Sequence, residues 1–272
     1  MLVFDYLWAY VTHASIWSLL AIFLVGAMIE RWRPAEAGQT AGDAWLNVAY
    51  ALFTSFLGFA LAPLLAIIAT AIIAACGGGW IALPGEGWGL LGAAALYIFV
   101  VDFLEYAFHR SQHAWPPLWA MHSLHHSDRA VNVTTSARNF WLEPLLKAAF
   151  IYPLAAILFK VPPAVLTIYG LTTVIHVSNH LNLGVSFPRL WRVVNTPQYH
   201  RIHHSILPEH RERNFAAYFP VFDLLFGTYH CPAPGEFPAT GLDTGEAPAD
   251  FPAAVSWPLR RRRLGDAASP TG

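Results

Sequence analysis

Histidine is the residue type whose number and spacing call for a chemical explanation in this sequence. Of the 13 histidines in the 272-residue chain, ten fall into four groups with spacings of one to four residues. Residues three and four apart share one face of a helix, so each group directs its imidazoles toward one point. Ten imidazoles exceed what one ion binds, which predicts two metal ions. The predicted ligands are His109, His113, His122, His125, His126, His176, His180, His200, His203 and His204.

The ligand type leaves the element open, because imidazole binds iron, zinc, copper and nickel. The only cysteines, Cys76 and Cys231, lie far apart in sequence, which excludes a disulfide framework and a cysteine-ligated zinc module. The groups contain neither the H-E-x-x-H motif of zinc proteases nor the Glu-x-x-His pairs of ferritin-like di-iron sites. Because imidazole is neutral, the charge of two ions must be balanced by hydroxide, oxide or nearby carboxylates.

Three carboxylates are candidates for supporting the ligands. Glu105 lies one helical turn before His109 and Asp102 two turns before it, so both could accept the second N–H of a ligand imidazole. Ordinary charge at a membrane interface is the alternative interpretation of these two residues. Asp223 fits either a supporting role or a plain helix cap.

Three histidines stand outside the four groups. His13 is predicted to lie on the opposite side of the membrane from the others, so we exclude it as a ligand. His210 fits a loop residue, and the role of His230 is open.

The composition indicates an integral membrane protein rather than a soluble one. Apolar types make up 56% of the chain and charged types 12%, about half the charged share of an ordinary soluble domain. The net charge of −1 gives no basic field of the kind that binds nucleic acid. We therefore predict an all-α, polytopic membrane protein with about four transmembrane helices or hairpin halves, and a cytosolic helical domain that holds two metals. A hydrophobic helical bundle in water is the alternative.

Three apolar segments, residues 15–29, 44–76 and 88–108, are predicted to cross the membrane. A fourth, residues 142–175, is interrupted by Lys160-Val161-Pro162-Pro163 and predicts a tight helical hairpin.

Basic residues set the orientation of these spans. Arg31 and Arg33 follow the first span and Arg110 follows the third, whereas the loop at 77–87 has no basic residue. Since basic residues mark the cytoplasmic side, the histidine motifs are predicted to face the cytoplasm. The Ala-, Arg- and Gly-rich composition favours a bacterial cytoplasmic membrane, with the endoplasmic reticulum as the alternative.

The histidine motifs resemble those of the fatty acid hydroxylase and sterol desaturase superfamily of membrane enzymes. The resemblance extends over about Tyr97 to Tyr229. It rests on His109-Arg110-Ser111-Gln112-His113, His122-Ser123-Leu124-His125-His126, His176-Val177-Ser178-Asn179-His180 and His200-Arg201-Ile202-His203-His204, and on Asn132-Val133-Thr134-Thr135, Arg138, Asn214 and Asp223-Leu224-Leu225-Phe226-Gly227-Thr228.

The resemblance implies a di-iron centre, with zinc as a possible substitute, that uses O2 and two electrons to hydroxylate or desaturate a lipid. Fatty acyl, sterol, alkyl-lipid and carotenoid substrates are all consistent with it. No haem or flavin module is recognisable, so we expect electrons from a separate cytochrome b5-, ferredoxin- or reductase-like protein.

The predicted division of the chain is residues 1–96 as N-terminal spans, 97–230 as a fatty acid hydroxylase-like domain that includes the hairpin, and 231–272 as an irregular tail. In that tail, Arg260–Arg263 could contact anionic head groups or simply be solvated.

Two other functions stay open from the residues alone. A metal-dependent membrane hydrolase would need only about three protein ligands on a metal. A metal transporter or sensor would place ligands along a path near the bilayer midplane.

Overall fold

The computed structural model describes residue 10 and residues 12–259, without the side chain of Ala14, and the basic run Arg260–Arg263 lies outside the described residues. The described chain is mostly helical and contains almost no strand. The helices are α1 (Ala14–Trp32), α2 (Ala41–Ala75), α3 (Gly87–Ala114), α4 (Pro116–His126), α5 (Leu142–Leu158), α6 (Pro163–Leu171), α7 (Thr173–Ser178), α8 (Pro197–His203), α9 (Val221–Leu225) and α10 (Phe251–Val255). Two short strands, β1 (Ile81–Ala82) and β2 (Phe159–Lys160), and the 3-10 turns Val133–Ala137 and Pro208–His210 complete the fold.

Helices α1, α2 and α3 are long and apolar enough to cross a membrane. The 35 residues of α2 extend about 50 Å at 1.5 Å per residue, well beyond a hydrocarbon core of about 30 Å. It begins at a capping box, in which the Thr40 amide donates to Asp43 at 2.6 Å. It ends at Ala75 and is followed by Cys76 and by Gly77, whose φ of 60° favours glycine. The prediction of an all-α polytopic membrane fold is confirmed.

The segment after α4 forms a hairpin of α5 with α6 and α7. Pro163 is the first residue of α6 and Pro162 caps it, since proline is favoured at the first position of a helix. The hairpin tip pairs with the glycine-rich loop, residues 77–87, where β1 and β2 run parallel with Ile81 opposite Phe159. A Cβ at Gly78 would lie 2.6 Å from a side-chain atom of Ile73 in α2 and 3.2 Å from the Cα atom of Ile157 near the hairpin tip, so this close approach requires glycine. The tip and the glycine-rich loop therefore lie at the same end of the molecule.

A buried polar network holds the chain after α4 against α2. The Asp128 carboxylate accepts hydrogen bonds from Asn47 at 2.8 Å and from the Thr135 hydroxyl at 2.6 Å. Arg138 donates to Asn47 at 3.2 Å and to Ser127 at 2.9 Å. Because buried charges are stable only when paired and hydrogen-bonded, this network fixes the end of α4.

The described part of the tail, residues 231–259, was predicted to be irregular but contains the short helix α10. Asp250 caps α10 by accepting from the Ala253 amide at 2.7 Å, and Pro252 occupies its first turn. Trp257, just beyond, is buried and donates to the Ser123 hydroxyl of α4 at 2.9 Å. The alanine- and proline-rich composition suggested a loop, but an Asp cap with a proline in the first turn favours the start of a helix.

Candidate metal centre

The structure brings nine of the ten predicted ligands together in two clusters. In each cluster, every residue offers a ligand atom within 4.8 Å of the others. The first, the five-histidine cluster, consists of His109, His113, His122, His126 and His203. The second, the four-histidine cluster, consists of His125, His180, His200 and His204.

The helices explain this division. His109 and His113 are one turn apart on α3, and His122 and His126 are one turn apart on α4, so the two pairs face each other across the α3–α4 corner. Pro116 at the start of α4 forces this corner, since the residue before a proline is extended. His125 points to the other cluster. Helix α4 therefore supplies both clusters, and adjacent histidines can serve different ions.

Distances between ring nitrogens match the separation of ligands around one ion. In the five-histidine cluster, Nε2 of His109 lies 3.1 Å from Nε2 of His122. In the four-histidine cluster, Nε2 of His180 lies 3.1 Å from that of His125 and 3.0 Å from that of His200. Neighbouring nitrogens bound at about 2.1 Å are about 3.0 Å apart in an octahedron and about 3.4 Å apart in a tetrahedron. The spacing fits metal coordination.

The protonation of these imidazoles favours metal binding as well. Burial, followed by the nearby imidazoles, holds the pKa values of His126 and His204 well below the ordinary value, so both rings are neutral at pH 7. Nε2 of His203 is buried and has no hydrogen-bond partner among the described residues. Buried polar atoms are normally paired, so an orphaned nitrogen in a neutral cluster fits a bound ion.

Two glutamates contact ligand imidazoles, and the sequence analysis identified neither. The Nδ1 atom of His122 lies 3.0 Å from the buried Glu143 carboxyl, at the start of α5. The Nδ1 atom of His113 lies 3.3 Å from the exposed Glu212 carboxyl. Such partners fix the tautomer and orientation of a metal-binding histidine. The sequence signal that could have identified Glu143 is its position as an acidic residue at the start of the apolar segment 142–175.

Backbone carbonyls orient two further rings. The Nδ1 atom of His109 lies 2.8 Å from the Phe215 carbonyl oxygen, and that of His203 lies 2.8 Å from the Arg213 carbonyl oxygen. Each ring then presents Nε2 to the five-histidine cluster.

The predicted supporting carboxylates have other partners. Asp102 accepts the amides of Tyr218 and Phe219, at 3.0 and 2.8 Å. Glu105 pairs with Lys147 at 2.6 Å. The expectation that these two carboxylates accept an imidazole N–H therefore needs correction, because Asp102 binds backbone amides and Glu105 binds an ammonium group.

Asp223 supports the centre indirectly, through the segment that contacts a ligand histidine. It accepts the amides of Phe215 and Ala216, each at 2.9 Å, together with the hydroxyls of Tyr199 and Thr228. It thereby fixes the segment whose Phe215 carbonyl meets His109. This is more than a helix cap, because four donors converge on one carboxylate.

A cavity of about 40 Å³ lies between the two clusters, and residues of both line it. A volume of this size holds a few waters or a diatomic molecule. His176, the tenth predicted ligand, stands in its wall with its ring centre 6.2 Å from that of His180. The structure does not bring His176 into either cluster, although it lies beside the four-histidine cluster.

The remaining histidines lie elsewhere. His13 caps the start of α1 by accepting from the Ser15 amide. His210 and His230 are adjacent to each other and outside both clusters.

Comparison with known proteins identifies the domain that carries this centre. The fatty acid hydroxylase family profile matches residues 94–228. Alkylglycerol monooxygenase of Xenopus tropicalis is 34% identical over 134 residues, which are 47% of this chain and 28% of that protein. Ornithine lipid hydroxylase OlsE of Rhizobium tropici is 26% identical over 269 residues, which are 94% of this chain and 77% of that protein. Very-long-chain aldehyde decarbonylase GL1-1 of Oryza sativa subsp. indica is 32% identical over 152 residues, covering 52% of this chain and 24% of that protein.

No solved structure matches the chain. The fold and the matched domain define a helical membrane protein with a histidine-rich centre. The chain belongs to the fatty acid hydroxylase superfamily, which confirms the resemblance seen in its motifs. It spans 28% of the length of the Xenopus relative, so activity and substrate are considered separately below.

Proposed function

We propose that this protein is a membrane-bound, di-iron, oxygen-dependent oxidoreductase that hydroxylates a C–H bond of a lipid. The observation that carries the proposal is the pair of histidine clusters that line one small cavity. The names of the relatives support an oxidoreductase, since they are a monooxygenase of alkylglycerol and a hydroxylase of ornithine lipid.

The residues would divide their work as follows. The five-histidine cluster would hold one ion and the four-histidine cluster the other, and His176 would lie beside the second ion. Two bound irons would supply the redox chemistry with O2 that side chains cannot, because acid–base catalysis does not break an unactivated C–H bond.

The chain's own contribution is to exclude water and to orient ligands. The cavity is lined mostly by imidazoles and by amide side chains such as Gln112 and Asn179. Asn179 is held by donating to the Ala217 carbonyl at 2.8 Å, while its buried carbonyl oxygen has no partner among the described residues. That oxygen is free to accept from a substrate or product hydroxyl. The Glu105–Lys147 ion pair forms another part of the wall.

The position of the cavity supports a substrate taken from the bilayer. Lys147 on α5 and His176 on α7 belong to the apolar hairpin, which we infer to be embedded in the membrane, so the cavity would border the bilayer. At about 40 Å³ it is too small for a whole acyl chain, which means that only the reacting carbon would reach it. Transport is disfavoured, because the ligands cluster at helix ends rather than along a path across the bilayer.

A second cavity supports electron delivery from a separate protein. It has a volume of about 280 Å³, opens to solvent, and is lined by His113, His126 and His203 of the five-histidine cluster. Arg211 and Glu212, which are both exposed, also line it. We infer that an external electron-transfer protein binds on this side. Arg31, Arg33 and Arg110 favour the cytoplasmic face for it.

Metal analysis and isotope-labelled O2 test the proposal together. Detergent-purified protein, handled without oxygen, should contain two irons per chain with a coupled Mössbauer spectrum. With a chemical reductant, labelled O2 and a bacterial lipid extract, it should place one labelled oxygen atom in a lipid. His125→Ala should lose iron and activity, whereas His13→Ala, far from the centre, should retain both.

The competing hydrolase has a different outcome. Reproducible zinc without iron, no O2 consumption, and release of fatty acid from ester or amide lipids would contradict the oxidoreductase proposal.

A further inference from the structure

Three side chains outside both clusters converge on one point. They are His210 on the 3-10 turn Pro208–His210, His230 after α9, and Glu236 in the tail, with ligand atoms within 4.8 Å of one another. Nε2 of His210 lies 3.2 Å from the Glu236 carboxylate. The ring centres of His210 and His230 are 4.7 Å apart, the same separation as His126 and His203 within the five-histidine cluster.

Separate hydrogen bonds hold each of the three residues in place. Nδ1 of the buried His210 lies 2.9 Å from the Ser205 hydroxyl, which leaves Nε2 for the shared point. One oxygen of Glu236 accepts the Ala233 amide at 2.7 Å, and the other faces His210. The backbone at His230 is fixed by its amide, which donates to the Asn214 side chain at 2.7 Å.

A hydrogen bond between His210 and Glu236 does not account for the whole arrangement. The ring of His230 has no hydrogen-bond partner in the part of the chain that the structure describes, yet it lies edge-on against His210 at 68° between the ring planes. His230 and Glu236 are only half-buried, so the point between the three residues is reachable from solvent.

We propose that His210, His230 and Glu236 bind a third metal ion, a divalent transition metal of the zinc type. Two imidazoles and one carboxylate are a known zinc donor set, with water in the fourth position. Ligands bound at about 2.1 Å lie about 3.4 Å apart in a tetrahedron, close to the 3.2 Å between His210 and Glu236. The mixed donors disfavour calcium and magnesium, which take oxygen ligands.

This ion would act on the main centre through the loop at residues 205–213. That loop bears His210 and also supplies the Glu212 carboxylate to His113 and the Arg213 carbonyl to His203. The ion would join this loop to the segment after α9 and to the tail, and so restrict the motion of two ligand-orienting groups. The proposal does not depend on the reaction proposed above.

Zinc binding by the full-length, detergent-purified protein tests the site. In equilibrium dialysis, the wild type should bind one more zinc per chain than either His230→Ala or Glu236→Gln. Glu209→Gln, which removes an exposed carboxylate next to His210, is the matched control and should bind as much as the wild type. The same one-zinc difference should appear in a His125→Ala background, which separates this site from the main centre.

Cobalt provides a second readout. Co²⁺-loaded wild type should show visible absorption from a low-coordinate site that both variants lose. Equal zinc content in the wild type, His230→Ala and Glu236→Gln would overturn the proposal. If His230→Ala is misfolded by circular dichroism, Glu236→Gln decides alone, because glutamine keeps the acceptor for Ala233.

Discussion

Glu143 is the residue whose substitution tests the described centre most sharply. Its carboxyl is buried and receives three donors: Nδ1 of His122 at 3.0 Å, the Gln112 amide at 2.5 Å and the Phe140 backbone amide at 3.1 Å. An ionised carboxylate satisfies all three. In Glu143→Gln, an NH2 group replaces one oxygen and must face at least one donor.

The magnitude follows from the loss of that hydrogen bond. A hydrogen bond to a charged group contributes about 1.5–3 kcal/mol, and loss of a partner to a metal-bound histidine lowers metal affinity by about 10- to 100-fold. His122 belongs to the five-histidine cluster alone. We therefore expect Glu143→Gln to release one of two bound metals about 10- to 100-fold more readily, and to keep the other.

The assay is metal content against chelator concentration, with circular dichroism to verify folding. Glu212→Gln is the graded comparison, because the Glu212 side chain is 63% exposed and its contact with His113 is 3.3 Å long. An exposed pair is worth about 1 kcal/mol or less, so its effect should stay within about fivefold. If folded Glu143→Gln holds both metals as the wild type does, or loses them no faster than Glu212→Gln, the orienting role of Glu143 is refuted.

Three further predictions concern stability and ligand rank. Metal-free protein should lose stability as the pH falls below about 6.5, by up to about 1.4 kcal/mol per pH unit for each buried histidine. The reason is that burial lowers the folded pKa of His126, His203 and His204, so unfolding takes up protons. Thermal unfolding between pH 5 and pH 8, about the range in which histidine titrates, checks this, and a stability that does not change with pH would contradict it. Asp223→Asn should cost about 3 kcal/mol or more, because four donors converge on that carboxylate; a melting temperature like the wild type's would show that the network is unimportant. His180→Ala should empty the four-histidine cluster, whereas His176→Ala should weaken its metal retention less, since His176 lies outside it; the reverse order in metal analysis would make His176 the stronger ligand.

Much of the centre was predictable because its signals are local. The spacing of His122, His125 and His126 predicts which face of a helix each occupies, and the Pro162-Pro163 pair predicts where the hairpin turns. The division of adjacent histidines between two clusters was not predictable, because it depends on how α4 packs against α3 and α8.

The groups that orient the rings were harder to predict, for physical reasons. A carbonyl such as that of Phe215 carries no sequence signature, since every residue has one. Glu143 is 21 residues from His122 along the chain, so only tertiary packing joins them. Asp102 lies on the expected helix, but spacing along that one helix could not predict that the backbone amides of residues 218 and 219 would donate to it.

If the protein hydroxylates a lipid as proposed above, the pairing of the hairpin tip with the glycine-rich loop bears on which carbon reacts. Helix α5 has 17 residues, a rod of about 25 Å, with Glu143 at one end and the pinned tip at the other. Helix α3 joins the same loop to the same centre, so the lengths of these two helices set how far the cavity lies from the hairpin tip. For a lipid whose head group is held at the membrane interface, the depth of the cavity would determine which carbon of the chain reaches it. Regiochemistry would then be encoded in the lengths of two helices as well as in the residues that touch the substrate.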